Sequence, residues 1–193
     1  MKRISLIFSL TVLVGCASLG VEISKKNNHI QMPSYSFVVP SDNGWHIQKP
    51  GKINELAIIA NKIGPFTFQM KMMKNVILGE NMKGATAEEV ADDYRGLEKR
   101  IMIEQGVNKG LYELKDVTMG EETLGNKNFY TMKYVIVSKS GTQRANLYLY
   151  FPESKNNKYF IVAHYSETIP ANAFLIKSFK DDFISTIETL SLL

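Results

Sequence analysis

Cysteine, histidine and tryptophan are scarce in this chain of 193 residues, which has one Cys, three His and one Trp. A single cysteine excludes an intramolecular disulfide and any metal site built from several cysteines. No apolar run approaches the ~20 residues that an ordinary membrane-spanning helix requires. The remaining composition is globular, with 45% hydrophobic, 22% charged and 10% aromatic residues, and the length suits one folded domain.

The first sixteen residues carry the strongest signal in the sequence. A basic pair, Lys2 and Arg3, precedes an apolar stretch of 11 residues. A Leu-Val-Gly-Cys sequence then ends at Cys16 and matches the lipobox of bacterial lipoproteins. This organisation is typical of a secretory signal peptide. We therefore predict a signal peptide over residues 1–15, cleavage after Gly15 and acylation of the Cys16 thiol.

Lipidation at Cys16 would hold the exported chain to a membrane, because two or three acyl chains such as palmitate anchor a protein firmly. Ala17 follows the cysteine where an aspartate would favour the inner membrane. The sequence therefore predicts the cell envelope, and within it the periplasmic face of the outer membrane. A cysteine buried in the core and an uncleaved N-terminal anchor are the alternatives.

The net charge of the chain depends on this processing. The full sequence carries 23 basic and 19 acidic residues, for a formal charge of +4. Loss of Lys2 and Arg3 leaves 21 basic against 19 acidic residues, or +2. No basic stripe alternates with aromatic residues, so we predict no nucleic-acid partner. The expected partners are a membrane, through the lipid anchor, and an envelope protein.

Polarity divides the mature chain into two parts. Residues 16–32 hold the lipidated cysteine and a polar, aperiodic stretch, which predicts a flexible tether. Residues 33–193 consist of apolar periodic segments separated by turns, and they predict a single domain. Strands are predicted over 35–39, 45–47, 54–63, 66–73, 111–119, 128–138, 143–151 and 159–166.

Two amphipathic helices interrupt and close the series of strands. Thr86 and Glu89 form a capping box at the start of the first, and Pro170 predicts the approach of the last. Because hairpins rather than βαβ units join the strands, we predict an α+β fold with an antiparallel sheet flanked by helices. The two apolar stripes are Val90, Tyr94, Leu97 and Ile101, and Ile176, Phe179, Phe183, Ile187 and Leu190.

Four segments of the chain share an arrangement with a known superfamily. An opening strand over 37–40 precedes Gly44 and Trp45, the helix over 86–105 follows, and the hairpins 128–166 lead to a closing segment, 183–192. In this the sequence resembles the PsbP-like superfamily, which includes DcrB-type bacterial envelope lipoproteins. The resemblance implies a PsbP-like α/β/α sandwich over residues 33–193 and a non-catalytic role in binding partners. No ligand-contacting residues carry over.

Two motifs suggest chemistry but fit ordinary structure better. Residues 79–86 nearly form a phosphate-binding loop, but Ala85 stands where that loop requires a lysine. Met70, Met72 and Met73 could bind Cu(I) through their soft thioethers, although methionine also packs readily in a core. We therefore predict no metal and no cofactor.

Recognisable catalytic patterns are also lacking. No serine lies in a Gly-x-Ser-x-Gly context, and the lipid consumes the thiol of Cys16. His164 lies within an apolar strand, where a packed histidine is expected rather than a general base. We predict that the protein is not an enzyme. The remaining alternative is a hydrolase that lacks a recognisable sequence motif.

Two groups of side chains are candidate binding sites. Tyrosine combines an apolar ring with a polar tip, which suits protein interfaces, whereas an apolar stripe on a strand could line a pocket. The predicted function is a non-catalytic envelope lipoprotein that binds or stabilises a protein partner. The alternative is a carrier for an apolar ligand or lipid, in a cavity between sheet and helix. The candidate residues are Tyr130, Tyr134, Tyr148 and Tyr150 for the partner, and Phe66, Phe68, Met70 and Met72 for the pocket.

Overall fold

A computed structural model of the protein describes residues 20–51, 56–76, 85–151, 159–175 and 177–193. The predicted signal peptide, its cleavage site after Gly15 and the lipidation site at Cys16 therefore lie outside the described residues. Across the ranges given above, the helices are all too short or too polar to cross a membrane.

Eleven strands and two α-helices make up the described part of the chain. Helix α1 spans Ala87–Met102 and continues into one π-helical turn, and α2 spans Lys180–Glu188. The strands are β1 Val21–Glu22, β2 His29–Gln31, β3 Tyr35–Val38, β4 His46–Gly51, β5 Leu56–Ile63, β6 Phe66–Val76, β7 Tyr112–Leu124, β8 Lys127–Ser138, β9 Gln143–Phe151, β10 Tyr159–Ile169 and β11 Ser191–Leu192.

Eight of these strands form one antiparallel sheet, in the order β1-β4-β5-β6-β10-β9-β8-β7. Strands β7 to β10 are successive antiparallel neighbours, and the pairing of β8, β9 and β10 confirms the hairpins predicted over 128–166, which form a meander. The sheet continues where β10 pairs with β6, from Tyr159 opposite Val76 to Thr168 opposite Thr67. The order β11-β3-β2 forms a smaller sheet. A mostly antiparallel fold with two helices agrees with the predicted α+β class.

Alternation along β6 determines which side chains enter the first of two cores. Phe68, Met70 and Met72 are buried on one face of the main sheet, and they share that face as the sequence predicts. Helix α2 and the small sheet cover it with buried side chains such as Phe183 and Phe37. We call this the apolar face.

Trp45 connects the start of β4 to α2 within this core. Its ring is fully buried and meets Phe179 edge-on, with 5.4 Å between ring centroids. The indole Nε1 donates a 2.7 Å hydrogen bond to Asp182 Oδ2, and the amide of Asn43 donates to both oxygens of the same carboxylate. Trp45 therefore has a structural role in the core, and the carboxylate of Asp182 fixes the start of α2 to the residues before β4.

Helix α1 packs on the opposite face of the main sheet, which we call the α1 face. Val90 of the helix meets Met132 of β8 and Phe160 of β10 in a second core. The capping box predicted at the start of the helix is present. The hydroxyl of Thr86 accepts a hydrogen bond from Glu89 N, and the carboxylate of Glu89 accepts a 2.7 Å bond from Thr86 N.

The apolar stripe predicted for α1 is correct at Val90 and Tyr94, which lie in or against the second core, but it is wrong at Leu97. Leu97, predicted to face the core, is 40% exposed, whereas Arg95 is only 6% exposed. The guanidinium of Arg95 donates to the backbone carbonyls of Gly120 and Thr131, and it pairs with Asp92. Because these bonds offset the cost of burying a cation, the helix turns a charged residue inward.

The packed domain begins well before the predicted boundary at its N-terminal side. Val21 pairs with Ile47 of β4, and the side chains of Ile23 and Ile30 are buried in the apolar core. The predicted tether is therefore wrong for residues 21–32. Single apolar side chains, spaced within a polar stretch, are enough to hold this segment against the sheets.

The last helix begins later than Pro170 suggests. Residues 170–175 and 177–179 form no helix, and α2 starts at Lys180. Phe183 and Ile187 are fully buried, as the apolar stripe predicts, whereas Ile176 lies outside the described residues. The stripe is thus correct for the part of the segment that is helical.

Candidate functional site

Polar side chains from neighbouring strands converge on the α1 face. The register places His164 of β10 between Lys71 of β6 and Tyr148 of β9. Two residues further along, Asn146 lies opposite Ser166. Alternate residues of a strand share one face, so these side chains are neighbours. With the residues that contact or face them, we call the following set the polar cluster: Lys71, Glu98, Tyr134, Arg144, Asn146, Tyr148, His164 and Ser166.

His164 lies at the floor of the polar cluster. Its Nε2 is 3.0 Å from the amide oxygen of Asn146, and its ring stacks on Tyr148 with 4.0 Å between centroids. Burial lowers the pKa of His164 well below its usual range, and the charges of Lys71 and Arg144 lower it further. The imidazole is therefore neutral at neutral pH, which agrees with the packed histidine expected from the sequence.

Glu98 connects α1 to the tyrosines beneath it. The hydroxyl of Tyr148 donates a 3.3 Å hydrogen bond to Glu98 Oε1, and Tyr134 donates to the Tyr148 hydroxyl at 3.4 Å. Burial raises the pKa of Glu98, whereas the tyrosine hydroxyls and Lys71 oppose that rise. Burial also raises the pKa of both phenols. The two hydroxyls therefore remain protonated donors, Tyr134 to the hydroxyl of Tyr148 and Tyr148 to the carboxyl group of Glu98.

Lys71 and Arg144 bring two basic groups to the same face. Both side chains are half-buried. Burial lowers the pKa of Lys71, and Arg144 lowers it further, whereas Glu98 raises it. Arg144 Nε is buried and has no hydrogen-bond partner among the described residues. The polar cluster thus opposes two basic groups to one carboxyl group, which already accepts a bond from Tyr148.

The four tyrosines predicted to bind a partner do not form an open surface. Tyr134 and Tyr150 are buried in the second core, and Tyr130 and Tyr148 are half-buried and pack against it. The ring of Tyr148 stacks near Tyr134 and Tyr150, at 5.9 and 6.1 Å between centroids. The prediction of a tyrosine contact surface is therefore wrong for Tyr134 and Tyr150. Their rings instead form the layer on which α1 packs.

The predicted pocket residues lie on the apolar face. The ring centroids of Phe68 and Phe179 are 4.8 Å apart, and the sulfur of Met70 is 3.9 Å from the Thr186 hydroxyl oxygen. Met72 is buried in the same core, and Phe66 is half-buried against it. At Phe68 and Met70 the neighbouring space is filled by side chains around α2, so these residues act as core packing.

The possible copper ligands do not share a face. Met70 and Met72 belong to the apolar core, whereas Met73 packs against the second core on the α1 face. Three methionines divided in this way cannot surround one metal ion. Among the described residues, His, Cys, Asp and Glu side chains also form no group of three that could hold a metal.

Sequence reasoning missed most of the polar cluster. The alternation that assigned Phe68 to the core also placed Lys71 on the other face of β6. This alternation was the one signal in the sequence that pointed to the polar cluster. Glu98 and Arg144 belong to none of the motifs found in the sequence. They come together with Lys71 only because β10 inserts between β6 and β9, which is a pairing that no local pattern reveals.

No family model and no curated protein matches the sequence, but solved structures do. The chain is similar to cyanobacterial PsbP (CyanoP) from Synechocystis sp. PCC 6803. The identity is 12%, the match covers 94% of this chain and 99% of that one, and the TM-score is 0.49.

The chain is also similar to the crystal structure of LpqN, a protein involved in cell envelope biogenesis of Mycobacterium tuberculosis. Here the identity is 12%, the match covers 86% of this chain and 93% of that one, and the TM-score is 0.48. Both similarities concern the fold. The groups of the polar cluster are assigned from the geometry of this chain alone.

Proposed function

We propose that this protein is a non-catalytic lipoprotein of the bacterial cell envelope, anchored through Cys16, whose domain binds a protein partner. The observation that carries the proposal is the N-terminal sequence, a basic pair and a short apolar stretch that end in Leu-Val-Gly-Cys. A non-catalytic role is proposed because the two groups of the polar cluster that could act as an acid or a base, Glu98 and His164, each already have a partner. Glu98 accepts from Tyr148, and His164 is neutral and bonded to Asn146.

The link between anchor and domain is short. Among the described residues Val21 is the first that pairs in a sheet, and four residues separate it from Cys16 in the sequence. Five Cα steps of an extended chain span at most about 18 Å. The lipid anchor would therefore hold the β1 edge of the main sheet close to the headgroups.

We propose that the partner binds at the ends of the strands that face away from the anchor. Since β1 is antiparallel to β4, with Val21 opposite Ile47, the chain before β1 runs towards the turn between β4 and β5. At the other end of the sheet lie the end of β5, the start of β7 and the loop after β10. Ile63, Leu111 and Phe174 are exposed there, and Phe174 is 90% exposed. Phe174 is the most exposed large apolar side chain of the described residues, and we propose its ring, on the side away from the anchor, as the contact for a second envelope protein.

The anchor is tested by replacing Cys16→Ala in the full chain expressed in a bacterial host. The wild-type protein should incorporate labelled palmitate and fractionate with the outer membrane. Cys16→Ala should lose the label and leave the membrane fraction, whereas Ser18→Ala should behave as wild type. Unlabelled wild-type protein, or a label that survives Cys16→Ala, would contradict the proposal.

The partner surface is tested by photo-crosslinking in cells. A photoreactive residue at position 174 should give a discrete crosslinked band with an envelope protein. The same residue at Asn126, an exposed position in the turn between β7 and β8 at the anchor end of the sheet, should not. The band should also disappear when Cys16→Ala releases the protein from the membrane. Equal crosslinking from both positions would refute the assignment of this end of the sheet to a specific partner.

A further inference from the structure

In the polar cluster two basic side chains flank a buried polar floor, and we call this arrangement the recess. The floor is formed by Asn146, His164 and Ser166, which are 7%, 5% and 2% exposed. Lys71 lies directly opposite His164 on the neighbouring strand. Arg144 precedes Asn146 by two residues on β9, so it projects from the same face. Both basic side chains are half-buried, so part of each remains exposed to solvent.

The charges around this recess are not balanced. Glu98, from α1, is the carboxyl group of the polar cluster, and Tyr148 already donates to one of its oxygens. Arg144 Nε is buried without a hydrogen-bond partner among the described residues. Two partly buried basic groups lose hydration here and share the charge of one carboxyl group, Glu98, which is unfavourable unless a second anion completes the site.

We infer that this recess binds a phosphate group, held between Lys71 and Arg144 above the floor of Asn146, His164 and Ser166. An arginine offers Nε and Nη as a planar fork that matches two oxygens of one phosphate, and the Nε of Arg144 is the atom that lacks a partner. Lys71 supplies a compact charge from the other flank. The inference goes beyond the proposed envelope function and does not depend on the lipid anchor.

Two sources could present the same phosphate chemistry. Free phosphate or a small phosphate monoester would enter from solution, whereas an anionic phospholipid would present its headgroup at a membrane. Both would place phosphate oxygens against the same two basic side chains. The experiment therefore has two arms, inorganic phosphate and vesicles.

The full chain, purified from membranes in detergent, is titrated with inorganic phosphate and followed by calorimetry and ³¹P NMR. A parallel titration uses vesicles of phosphatidylglycerol against vesicles of phosphatidylcholine. Both arms are repeated with Cys16→Ala protein, so that failure of the anchor and failure of the site give different results. Binding in either arm identifies the source of the phosphate.

The variants are Arg144→Gln and Lys71→Gln, with Arg100→Gln and Lys62→Gln as exposed matched controls. Loss of one charge-assisted bond should weaken binding by about tenfold or more, and the controls should bind as wild type. Lys71→Arg keeps the charge and should retain most of the affinity if Lys71→Gln unfolds the chain. Absence of binding in both arms, or binding that survives both Gln variants, would overturn the inference.

Discussion

The two faces of the main sheet differ in the kind of side chain that they bury. On the apolar face, aromatic rings meet in pairs, such as Trp45 with Phe179 and Tyr165 with Phe183, and α2 and the small sheet cover them. On the α1 face, a helix covers part of the sheet, and a set of titratable groups shares the rest. A fold holds polar groups in its interior at a cost in free energy, so the α1 face is where we expect function.

The faces also differ in what a single change should do. Stability on the apolar face comes from filled space, and removal of a ring leaves a cavity. On the α1 face each polar group has few partners, so a change there should alter pH dependence or binding more than global stability. Three substitutions test this contrast, from the largest expected effect to the smallest.

Phe183→Ala should be the most damaging of the three. Phe183 is fully buried, and its ring stacks on that of Tyr165. We expect a loss of about 3–5 kcal/mol in the free energy of unfolding, from lost burial and the cavity left behind, measured by urea denaturation. Tyr148→Phe on the α1 face is the control, and it should cost about 1 kcal/mol for its hydrogen bonds. Similar losses for both variants would remove the distinction between the faces.

His164→Gln should change how stability depends on pH. Folding lowers the pKa of His164. Below the ordinary histidine pKa of 6.5, the imidazole therefore takes up a proton more readily in the unfolded chain than in the folded chain. Wild-type stability should therefore fall on acidification through that value, by at most about 1.4 kcal/mol per pH unit from this group. His164→Gln should remove that part of the slope, measured by denaturation from pH 7 to pH 5.

Other groups that face His164 define the control for this measurement. Lys71 and Arg144 are the basic groups near His164. The lowered pKa of Lys71 acts in the same direction as that of His164, whereas the raised pKa of Glu98 acts with the opposite sign, because stability then falls as pH rises. His46→Gln, at a histidine outside the polar cluster, should leave the acid slope as in wild type. An unchanged slope in His164→Gln would mean that His164 is not held neutral by folding.

Much of the fold follows from local patterns in the sequence. Alternation in β6 identified the buried face of Phe68 and Met70, and the meander followed from three strand-like segments separated by short turns. These predictions succeed because burial of a strand face imposes a period of two on its own residues. Pairing between distant strands leaves no such record, so the insertion of β10 between β6 and β9 was not predictable.

The failures have a common physical origin. Arg95 faces inward because backbone carbonyls of β7 and β8 accept its hydrogen bonds, and Ile23 is buried because β1 pairs with β4. In both cases tertiary partners decide the environment of a residue, and local polarity suggests the opposite. The polar cluster was missed for the same reason, since Glu98 and Arg144 acquire their surroundings only through packing.

Thr86→Ala should give the smallest effect and the most local one. Thr86 and Glu89 exchange hydrogen bonds at the start of α1, and loss of such a cap typically costs about 1 kcal/mol. Because α1 covers only the α1 face, amide hydrogen exchange should accelerate in the first turns of α1 while α2 stays protected. Thr86→Ser keeps the hydroxyl and should restore protection. Equal acceleration in α1 and α2 would show that the two faces open as one unit, and the contrast between them would then hold for composition and not for stability.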